Sequence, residues 1–178
     1  MWEISLSGTG GQGLILAGII LAEAAILDGK EAIQTQSYGP EARGGASKSD
    51  VIISESEIDY PKVLAADILL AMSQEACNKY VKRLKDGGKL LVDTTFVKEL
   101  PSIHAEFLQL PITKAAREEL GNAMFANIIA LGAIVGATGI VTKESLLKAV
   151  LHRVPKGTES VNTKALELGF GMGKGEFQ

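Results

Sequence analysis

The sequence predicts an α/β fold, a three-layer α/β/α sandwich built on a mainly parallel sheet. Short strand-like runs alternate with longer helical segments along the chain, an order that is typical of parallel sheets covered by helices. Hydrophobic residues make up 46% of the chain and charged residues 22%, so we expect a folded core. The length of 178 residues suits one domain, and no repeat or linker divides it, so we expect a single domain over residues 1–178.

The first half of the chain begins with an expected strand, Trp2–Ser7, and the glycine-rich stretch GTGGQG. The segment Leu14–Leu27 that follows is apolar almost all round, which is typical of a helix buried between layers. Two more strands are expected at Glu31–Gln36 and Ser49–Ser54. The stretch between them contains Gly-Pro and Gly-Gly pairs, which exclude regular structure there.

The second half contains further strands and helices, most of them bounded by a capping residue or a glycine. The expected strands are Ala66–Met72, Lys89–Thr95 and Ala105–Ile112. The expected helices cover 73–85, 113–120, 123–138, 143–154 and 158–168, the last followed by a glycine-rich tail. Ser73, Thr113 and Thr142 are their expected caps, and Asp86-Gly87-Gly88 should stop the first of them. In the 123–138 helix, Gly132 and Gly136 permit close contact with a neighbouring helix or subunit.

Composition excludes several classes of function. Lys and Arg number 18 against 21 Asp and Glu, which leaves no basic field for nucleic acid. The apolar stretch 124–141 is broken by several glycines, so it is not expected to cross a membrane. The single cysteine, Cys77, cannot form an internal disulfide or a Cys₄ cluster, and His104 and His152 lack ligand spacing, so no metal site is expected. Because no signal peptide is visible, we expect a cytoplasmic protein.

GTGGQG, residues 8–13, has the G-x-G-x-x-G spacing of a dinucleotide-binding turn. Bare backbone and the N-terminus of the following helix favour an anion there. A dinucleotide site also needs an acidic residue at the end of the second strand, where this chain has Gln34, Gln36 and Ser37. The residues alone therefore leave three hypotheses: a site for NAD or FAD, which is the least favoured, a site for another anion, or a structural turn or subunit contact.

SYGPEARGG, residues 37–45, is the more specific signal, although an ordinary solvated loop is the simpler interpretation of such a stretch. Tyr38 offers an amphipathic ring, and the guanidinium fork of Arg43 suits a carboxylate or a phosphate. The loop follows the second strand, so it should emerge at the same sheet edge as residues 8–13. The candidate residues of a ligand or subunit-interface site are Gly8, Gly10, Gly11, Gln12, Gly13, Ser37, Tyr38, Gly39, Pro40, Glu41, Arg43, Gly44 and Gly45.

Together these motifs resemble the gamma, or domain III-type, subunit of 2-oxoacid:ferredoxin oxidoreductases. That family carries an opening GxGGQG…AG…LAEAA, a loop SYGPExRGG and a later N-x-x-x-LG helix. The corresponding stretches here are GTGGQGLILAGIILAEAA (8–25), SYGPEARGG (37–45) and GNAMFANIIALGAIVG (121–136). The resemblance covers nearly the whole chain, and its loop is closest in appearance to the 2-oxoglutarate and branched-chain oxoacid members.

The resemblance implies a Rossmann-like sheet and a subunit of a complex that oxidatively decarboxylates a 2-oxoacid, with 2-oxoglutarate favoured. In such complexes thiamine diphosphate and magnesium support decarboxylation, [4Fe–4S] clusters pass electrons to ferredoxin, and coenzyme A accepts the acyl group. This chain has no Gly-Asp-Gly diphosphate–magnesium motif and one cysteine, so it is expected to bind no cofactor, to supply no catalytic residue and to be inactive alone. The two loops would face the partners, with coenzyme A entry as their ligand role.

The expected partners are alpha and beta subunits that bind thiamine diphosphate, a ferredoxin-like delta subunit and ferredoxin, and the isolated chain could self-associate. Two alternatives remain from other classes of protein. One is a freestanding NAD- or FAD-binding enzyme, which the Gln-rich end of the second strand disfavours. The other is a non-catalytic nucleotide-sensing scaffold. The identity of the 2-oxoacid is expected to depend on the partner chains.

Overall fold

The computed structural model describes residues 1–37 and 45–175, which contain six strands and six α-helices. The strands are β1 (Trp2–Thr9), β2 (Glu31–Gln36), β3 (Ala46–Ser54), β4 (Ala66–Ala71), β5 (Leu84–Asp93) and β6 (Ala105–Leu110). The helices are α1 (Leu14–Leu27), α2 (Gln74–Tyr80), α3 (Ile112–Leu120), α4 (Ala126–Thr138), α5 (Lys143–Arg153) and α6 (Glu159–Met172). Short 3₁₀ turns precede β5 at Val81–Arg83 and α4 at Ala123–Phe125.

The strands form one sheet in the order β2-β3-β1-β4-β5-β6. The pairs β1–β4, β4–β5 and β5–β6 are parallel, whereas β3 is antiparallel to both β1 and β2. Five strands therefore share one direction, which confirms the predicted mainly parallel α/β sheet. In a dinucleotide-binding fold, the strand that follows α1 pairs with β1. Here that strand, β2, forms a hairpin with β3, and β3 lies beside β1 instead.

Alternate side chains along the strands form two cores, one on each face of the sheet. Ile4, Leu6, Ile68 and Leu70 pack with α1, α4, α5 and α6 in the larger core. Leu69, Leu90 and Val92 point to the opposite face and pack with α2 in the smaller core. The helical layers are therefore unequal, with one short helix on the second face. Within the described ranges no helix is long and apolar enough to cross a bilayer.

Helices α4 and α6 pack closely through glycines. A Cβ atom added at Gly132 would lie 2.6 Å from the carbonyl oxygen of Leu166, and one at Gly169 would lie 2.2 Å from that of Ile129. Gly136 likewise lies against Phe170. The close neighbour that the sequence requires for Gly132 and Gly136 is thus a helix of the same chain. The two glycines give no support to an exposed face for another subunit.

Two predicted helix boundaries are wrong. The helix after β4 ends at Tyr80 rather than Lys85, and β5 already begins at Leu84. Asp86-Gly87-Gly88 does not end a helix but lies inside β5, where the N–H of Gly87 donates to the carbonyl oxygen of His104. The last helix continues to Met172, and two glycines of the expected tail, Gly169 and Gly173, lie against the backbone of α4.

Of the three predicted caps, two are confirmed. The hydroxyl oxygens of Ser73 and Thr142 accept hydrogen bonds from the N–H groups of Ala76 and Ser145. Thr113 is not a cap, since α3 begins at Ile112, and its hydroxyl and N–H both donate to Asp93. The cap position is held by Pro111, whose side chain cannot accept a hydrogen bond.

Candidate functional site

The parallel strands β1, β4, β5 and β6 end at one edge of the sheet, which we call the carboxyl edge. The glycine loop, residues 8–13, leads from β1 into α1 there. The segment 94–98 follows β5 at this edge, and α3 follows β6. Open α/β sheets bind ligands at the carboxyl ends of their strands, so this edge is the candidate site.

Gly8 is required by the chain's own packing. A Cβ atom at this position would lie 2.2 Å from Oε1 of Gln12, 2.8 Å from Leu14 and 3.0 Å from Met72. Oε1 of Gln12 accepts a hydrogen bond from the N–H of Thr9 at 2.7 Å, and Nε2 donates to the carbonyl oxygen of Met72 at 3.1 Å. The amide of Gln12 therefore lies across the space that Gly8 leaves open.

Gly11 and Gly13 have backbone reasons to be glycine, with φ of +90° and +73°. A Cβ at Gly13 would also lie 2.5 Å from Nδ2 of Asn127, which donates to the carbonyl oxygen of Gly13 at 3.1 Å. Asn127 is buried at the start of α4. Gly10 and Gly11 remain exposed, so the tip of the loop is bare backbone between two amide side chains.

The loop therefore differs from a dinucleotide site in both of the features that the motif requires. Its open space is filled by Gln12, and the second strand has no acid in reach of a ribose. Gln34 instead donates from Nε2 to the hydroxyl of Ser49 on β3 at 2.9 Å. Asn127 is a site residue that sequence reasoning missed, although a buried amide in an otherwise apolar helix could have indicated it.

The second candidate loop is described only at its two ends. The N–H of Ser37 donates to the carbonyl oxygen of Lys48, and Gly45 precedes Ala46, which pairs with Thr9. Both ends lie at the carboxyl edge, the same edge as the glycine loop, as predicted, and the Ala46 end is directly beside β1. Ala46 is fixed from the other face of the sheet, because its carbonyl oxygen accepts from the hydroxyl of Tyr80 at 2.9 Å. Tyr38, Gly39, Pro40, Glu41, Arg43 and Gly44 lie outside the described residues, and their role stays a prediction.

Two clefts flank the tip of the glycine loop. The larger has a volume of about 350 Å³ and lies between the loop, the start of α4 and the start of α6. Its lining is mainly apolar, with Leu16, Phe125 and Ile128, and it includes the amides of Asn127 and Asn162. The smaller, about 190 Å³, lies on the other side of the loop. Residues 11, 12 and 124 line both clefts, and Met124 is 78% exposed between them.

A third groove, of about 460 Å³, carries positive charge at the ends of β5 and β6. Lys98, Lys114 and Arg117 line it, together with Glu118. The Lys114–Glu118 pair is loose, at 3.9 Å, and the Arg117 guanidinium lies over the Phe96 ring, 5.9 Å from its centre. Three cations against one carboxylate make this groove suited to an anionic group.

The buried carboxylates among the described residues are Asp50 and Asp93, and both are fixed by internal partners. Oδ1 of Asp50 accepts from the Ser5 hydroxyl at 2.7 Å, and its Oδ2 accepts from Arg83 at 3.3 Å. Oδ2 of Asp93 accepts from the Thr113 hydroxyl at 2.5 Å. These contacts stabilise both charges in the interior, so the two carboxylates have structural roles.

Cys77 and the two histidines lie away from the carboxyl-edge clefts. Cys77 lies on the buried side of α2, and burial raises the pKa of its thiol. His104 lies 3.1 Å from Asp86, and His152 binds Glu23 between α5 and α1. The described part of the chain contains no group of three or more His, Cys, Asp or Glu side chains that could hold a metal ion.

Comparison with known proteins identifies the family of this chain. The family model described as pyruvate ferredoxin/flavodoxin oxidoreductase matches residues 3–172. The 2-oxoglutarate synthase subunit KorC of Methanocaldococcus jannaschii is 53% identical over 175 residues, which cover 97% of this chain and 94% of that protein.

Solved structures indicate the same family. The gamma subunit of a keto/oxoacid ferredoxin oxidoreductase from Geobacter sulfurreducens matches with a TM-score of 0.89 and 52% identity, covering 97% of this chain and 98% of that one. A 2-oxoglutarate:ferredoxin oxidoreductase from Magnetococcus marinus, with 2-oxoglutarate, coenzyme A and succinyl-CoA bound, shares the fold at a TM-score of 0.86 and 21% identity. The match covers 97% of this chain and 31% of the Magnetococcus chain. The chain therefore belongs to the pyruvate ferredoxin/flavodoxin oxidoreductase family, as its glycine loop and the SYGPEARGG motif predict.

Proposed function

We propose that this chain is the gamma subunit of a 2-oxoglutarate:ferredoxin oxidoreductase. The reaction converts 2-oxoglutarate and coenzyme A into succinyl-CoA and CO₂, and two electrons pass singly to ferredoxin. The 53% identity to a 2-oxoglutarate synthase subunit over nearly the full length of both chains carries this proposal. A cytoplasmic location is part of the same proposal.

The cofactors of the reaction are assigned to partner chains because the residues here do not fit them. A [4Fe–4S] cluster needs four thiolates, whereas the sequence contains one cysteine. The described residues offer no cluster of carboxylate ligands for magnesium at the carboxyl edge. Thiamine diphosphate, magnesium and the clusters are therefore proposed to lie on alpha, beta and ferredoxin-like delta subunits, and ferredoxin is the proposed electron acceptor.

The carboxyl edge is proposed to face those partners and to guide coenzyme A. Coenzyme A combines anionic phosphates with a long, flexible arm of low charge. The cationic groove of Lys98, Lys114 and Arg117 suits the phosphates, and the cleft of about 350 Å³ beside the glycine loop suits the arm. The bare backbone at Gly10 and Gly11 allows a partner or ligand to approach closely.

The proposal is tested by reconstitution. Co-expressed with candidate alpha, beta and delta chains, the protein should yield a complex that reduces viologen with 2-oxoglutarate and coenzyme A. Pyruvate and branched-chain oxoacids, assayed at the same concentrations, serve as substrate controls. The isolated chain, supplied with the same substrates and thiamine diphosphate, should be inactive. Turnover by the isolated chain, or a complex that prefers pyruvate, would contradict the proposal.

Arg43 tests the role of the second loop. If its guanidinium binds an anion in the complex, Arg43→Ala should raise the KM for coenzyme A roughly 10- to 150-fold, with Arg43→Lys in between. If the loop serves assembly instead, the variant complex should dissociate on gel filtration. Arg153→Ala is the matched control, since Arg153 is bound to Glu23 within the chain at 2.5 Å. Full activity and intact assembly in Arg43→Ala would remove Arg43 from the site.

The alternative of a freestanding NAD- or FAD-binding protein is tested by titration. Calorimetry at millimolar NAD, NADP or FAD should give no measurable heat of binding, since Gln12 fills the turn and β2 ends without an acid. A micromolar dissociation constant for any of these cofactors would revive that alternative.

A further inference from the structure

The side chain of Gln12 connects the ends of two neighbouring strands. The backbone ladder between β1 and β4 ends at the pair Ser7–Ala71. One step further, the N–H of Met72 donates to the carbonyl oxygen of Ser7 at 2.8 Å. The amide of Gln12 then accepts from Thr9 and donates to Met72, which extends the connection by one more position through a side chain. The glycine loop is thereby fixed to both strands.

The same amide occupies the space that gives G-x-G-x-x-G turns their usual purpose. In a dinucleotide site, the missing side chains let the backbone approach a diphosphate. Here the amide of Gln12 lies where a Cβ of Gly8 would be, at 2.2 Å. Gly8 is therefore explained by Gln12 and requires no ligand.

A second amide fixes the other end of the loop. Asn127 donates to the carbonyl oxygen of Gly13, and its own Oδ1 accepts from the N–H of Ile128 at 2.9 Å. The two amides hold the backbone on either side of the exposed tip, at Thr9 and at Gly13. Gly10 and Gly11 themselves have no side chain to hold the tip in place. A tip of bare glycine would otherwise carry the largest conformational freedom of any residue type.

We propose that Gln12 is a positioning residue, which holds the Gly10–Gly11 tip in one conformation for contact at the carboxyl edge. Gln12 acts through backbone atoms of Thr9 and Met72, since the oxygen and the nitrogen of its amide are each hydrogen-bonded within the chain. Fixing the tip in advance lowers the entropy that a partner or ligand must overcome on binding. The functional part of this inference rests on the proposed function, whereas the structural part does not.

Hydrogen exchange of the isolated chain tests the structural part. In Gln12→Ala the amide proton of Thr9 loses its acceptor, so its protection factor should fall about five- to tenfold. The protection of α5 amides should not change. Gln34→Ala is the matched control, because Gln34 is another half-buried glutamine whose amide binds Ser49, away from the loop. Unchanged protection of Thr9 in Gln12→Ala would overturn the proposal.

Gln12→Glu separates the two hydrogen bonds of the amide. The carboxylate keeps an acceptor for the N–H of Thr9, but its second oxygen faces the carbonyl oxygen of Met72 without a proton. On acidification toward about pH 5 and below, a protonated carboxyl regains a donor, so the protection factor of Thr9 should rise relative to that of the unsubstituted chain. A pH-independent ratio would show that the Met72 contact contributes nothing.

The reconstituted complex tests the functional part. Gln12→Ala should raise the KM for coenzyme A or the dissociation constant of the assembly about tenfold, with a smaller effect on kcat, because the chemistry is on the partners. Faster exchange at Thr9 with unaltered KM and assembly would overturn positioning as a function. If the unsubstituted complex has no 2-oxoglutarate activity, the proposed function fails, while the exchange result still decides whether Gln12 holds the loop.

Discussion

The glycine loop at residues 8–13 and the α4–α6 crossing are both rich in glycine but use it differently. At the crossing, Gly132 and Gly169 let two helix backbones of the same chain meet, with carbonyl oxygens in the space of the missing Cβ atoms. In the loop, side-chain amides of Gln12 and Asn127 occupy that space, and the tip stays exposed. The function of a glycine pattern therefore depends on which atoms fill the space beside it, and these come from distant parts of the sequence.

The largest effect is expected from a substitution at the α4–α6 crossing. Gly169→Ala places a Cβ 2.2 Å from the Ile129 carbonyl oxygen, so the helices must separate, and we expect a loss of about 3 kcal/mol in the free energy of unfolding. Urea denaturation followed by circular dichroism measures it.

Gly171→Ala is the matched control for this change. It lies on the same helix, is exposed, and has no atom within 4 Å of an added Cβ. Alanine favours the helical backbone, so this variant should gain about 0.5–1 kcal/mol. Equal and small effects of both substitutions would show that the crossing does not depend on backbone contact.

A smaller effect is expected in the loop. Gly13→Ala must adopt a left-handed φ of +73° and also displace the Asn127 amide, for a total cost of about 2 kcal/mol. Gly29→Ala isolates the backbone part, because Gly29 has φ of +78° and open space beside it, and it should cost about 1 kcal/mol.

The double variant Gly13→Ala/Asn127→Ala sharpens this comparison. Removing the Asn127 amide relieves the clash but not the strain in φ, so a double-mutant cycle should give a favourable coupling energy between the two positions. Strictly additive costs would mean that Asn127 moves aside freely and does not hold the loop.

The smallest effect concerns α1, which begins at the glycine loop and packs in the same core as α4 and α6. Partial burial raises the pKa of Glu23, but hydrogen bonds and charges from Arg153 and His152 outweigh it and hold the pKa below its usual value. A lowered carboxyl pKa stabilises the fold above the ordinary value, and this stabilisation is lost as the pH falls through the folded-state value. Glu23→Gln should therefore cost about 1 kcal/mol or less at pH 7.

The pH dependence provides the check on that pair. The difference between the unsubstituted chain and Glu23→Gln should shrink below about pH 4.5, in urea titrations at several pH values. Glu167→Gln, an exposed change on α6, should show no such convergence. A difference that is constant with pH would remove the Glu23 contact as a source of acid sensitivity.

Much of the fold could be predicted because it is encoded locally. Strand and helix alternation predicts the layered sheet, and hydroxyl residues before helices predicted the caps at Ser73 and Thr142. The antiparallel direction of β3 was not predicted, since a strand's direction depends on its partner rather than on its own residues. The extension of α6 to Met172 was missed for the same reason, because glycine disfavours a helix by itself and the close approach of a neighbour such as Ala133 cannot be read from the local sequence.

The candidate site was predictable as motifs but not as contacts. The loop residues Gly8 and Gln12 were identified from their spacing, whereas the bond from Gln12 to Met72 joins positions 60 residues apart. Asn127 has only its amide in an apolar helix as a local signal, and the cations Lys98 and Arg117 belong to segments with no local signature of binding. The distances between such segments depend on the order of the strands in the sheet, and that order results from pairing between distant parts of the chain.

The β2–β3 hairpin holds both ends of the SYGPEARGG loop. Strand pairing from Glu31–Ser54 to Gln36–Ser49 sets the register of the hairpin, and β3 is fixed again by β1 up to the pair Thr9–Ala46. The residues between Ser37 and Ala46 are therefore joined at both ends to paired strands, which set the register on either side of the loop. Evolution could alter their composition, or even their number, between relatives with different 2-oxoacids or partner chains, without changing the rest of the domain. In protein engineering, the corresponding loop of another family member can be grafted between these strands, and an unchanged melting temperature would show that the strand pairs hold the register without the native loop.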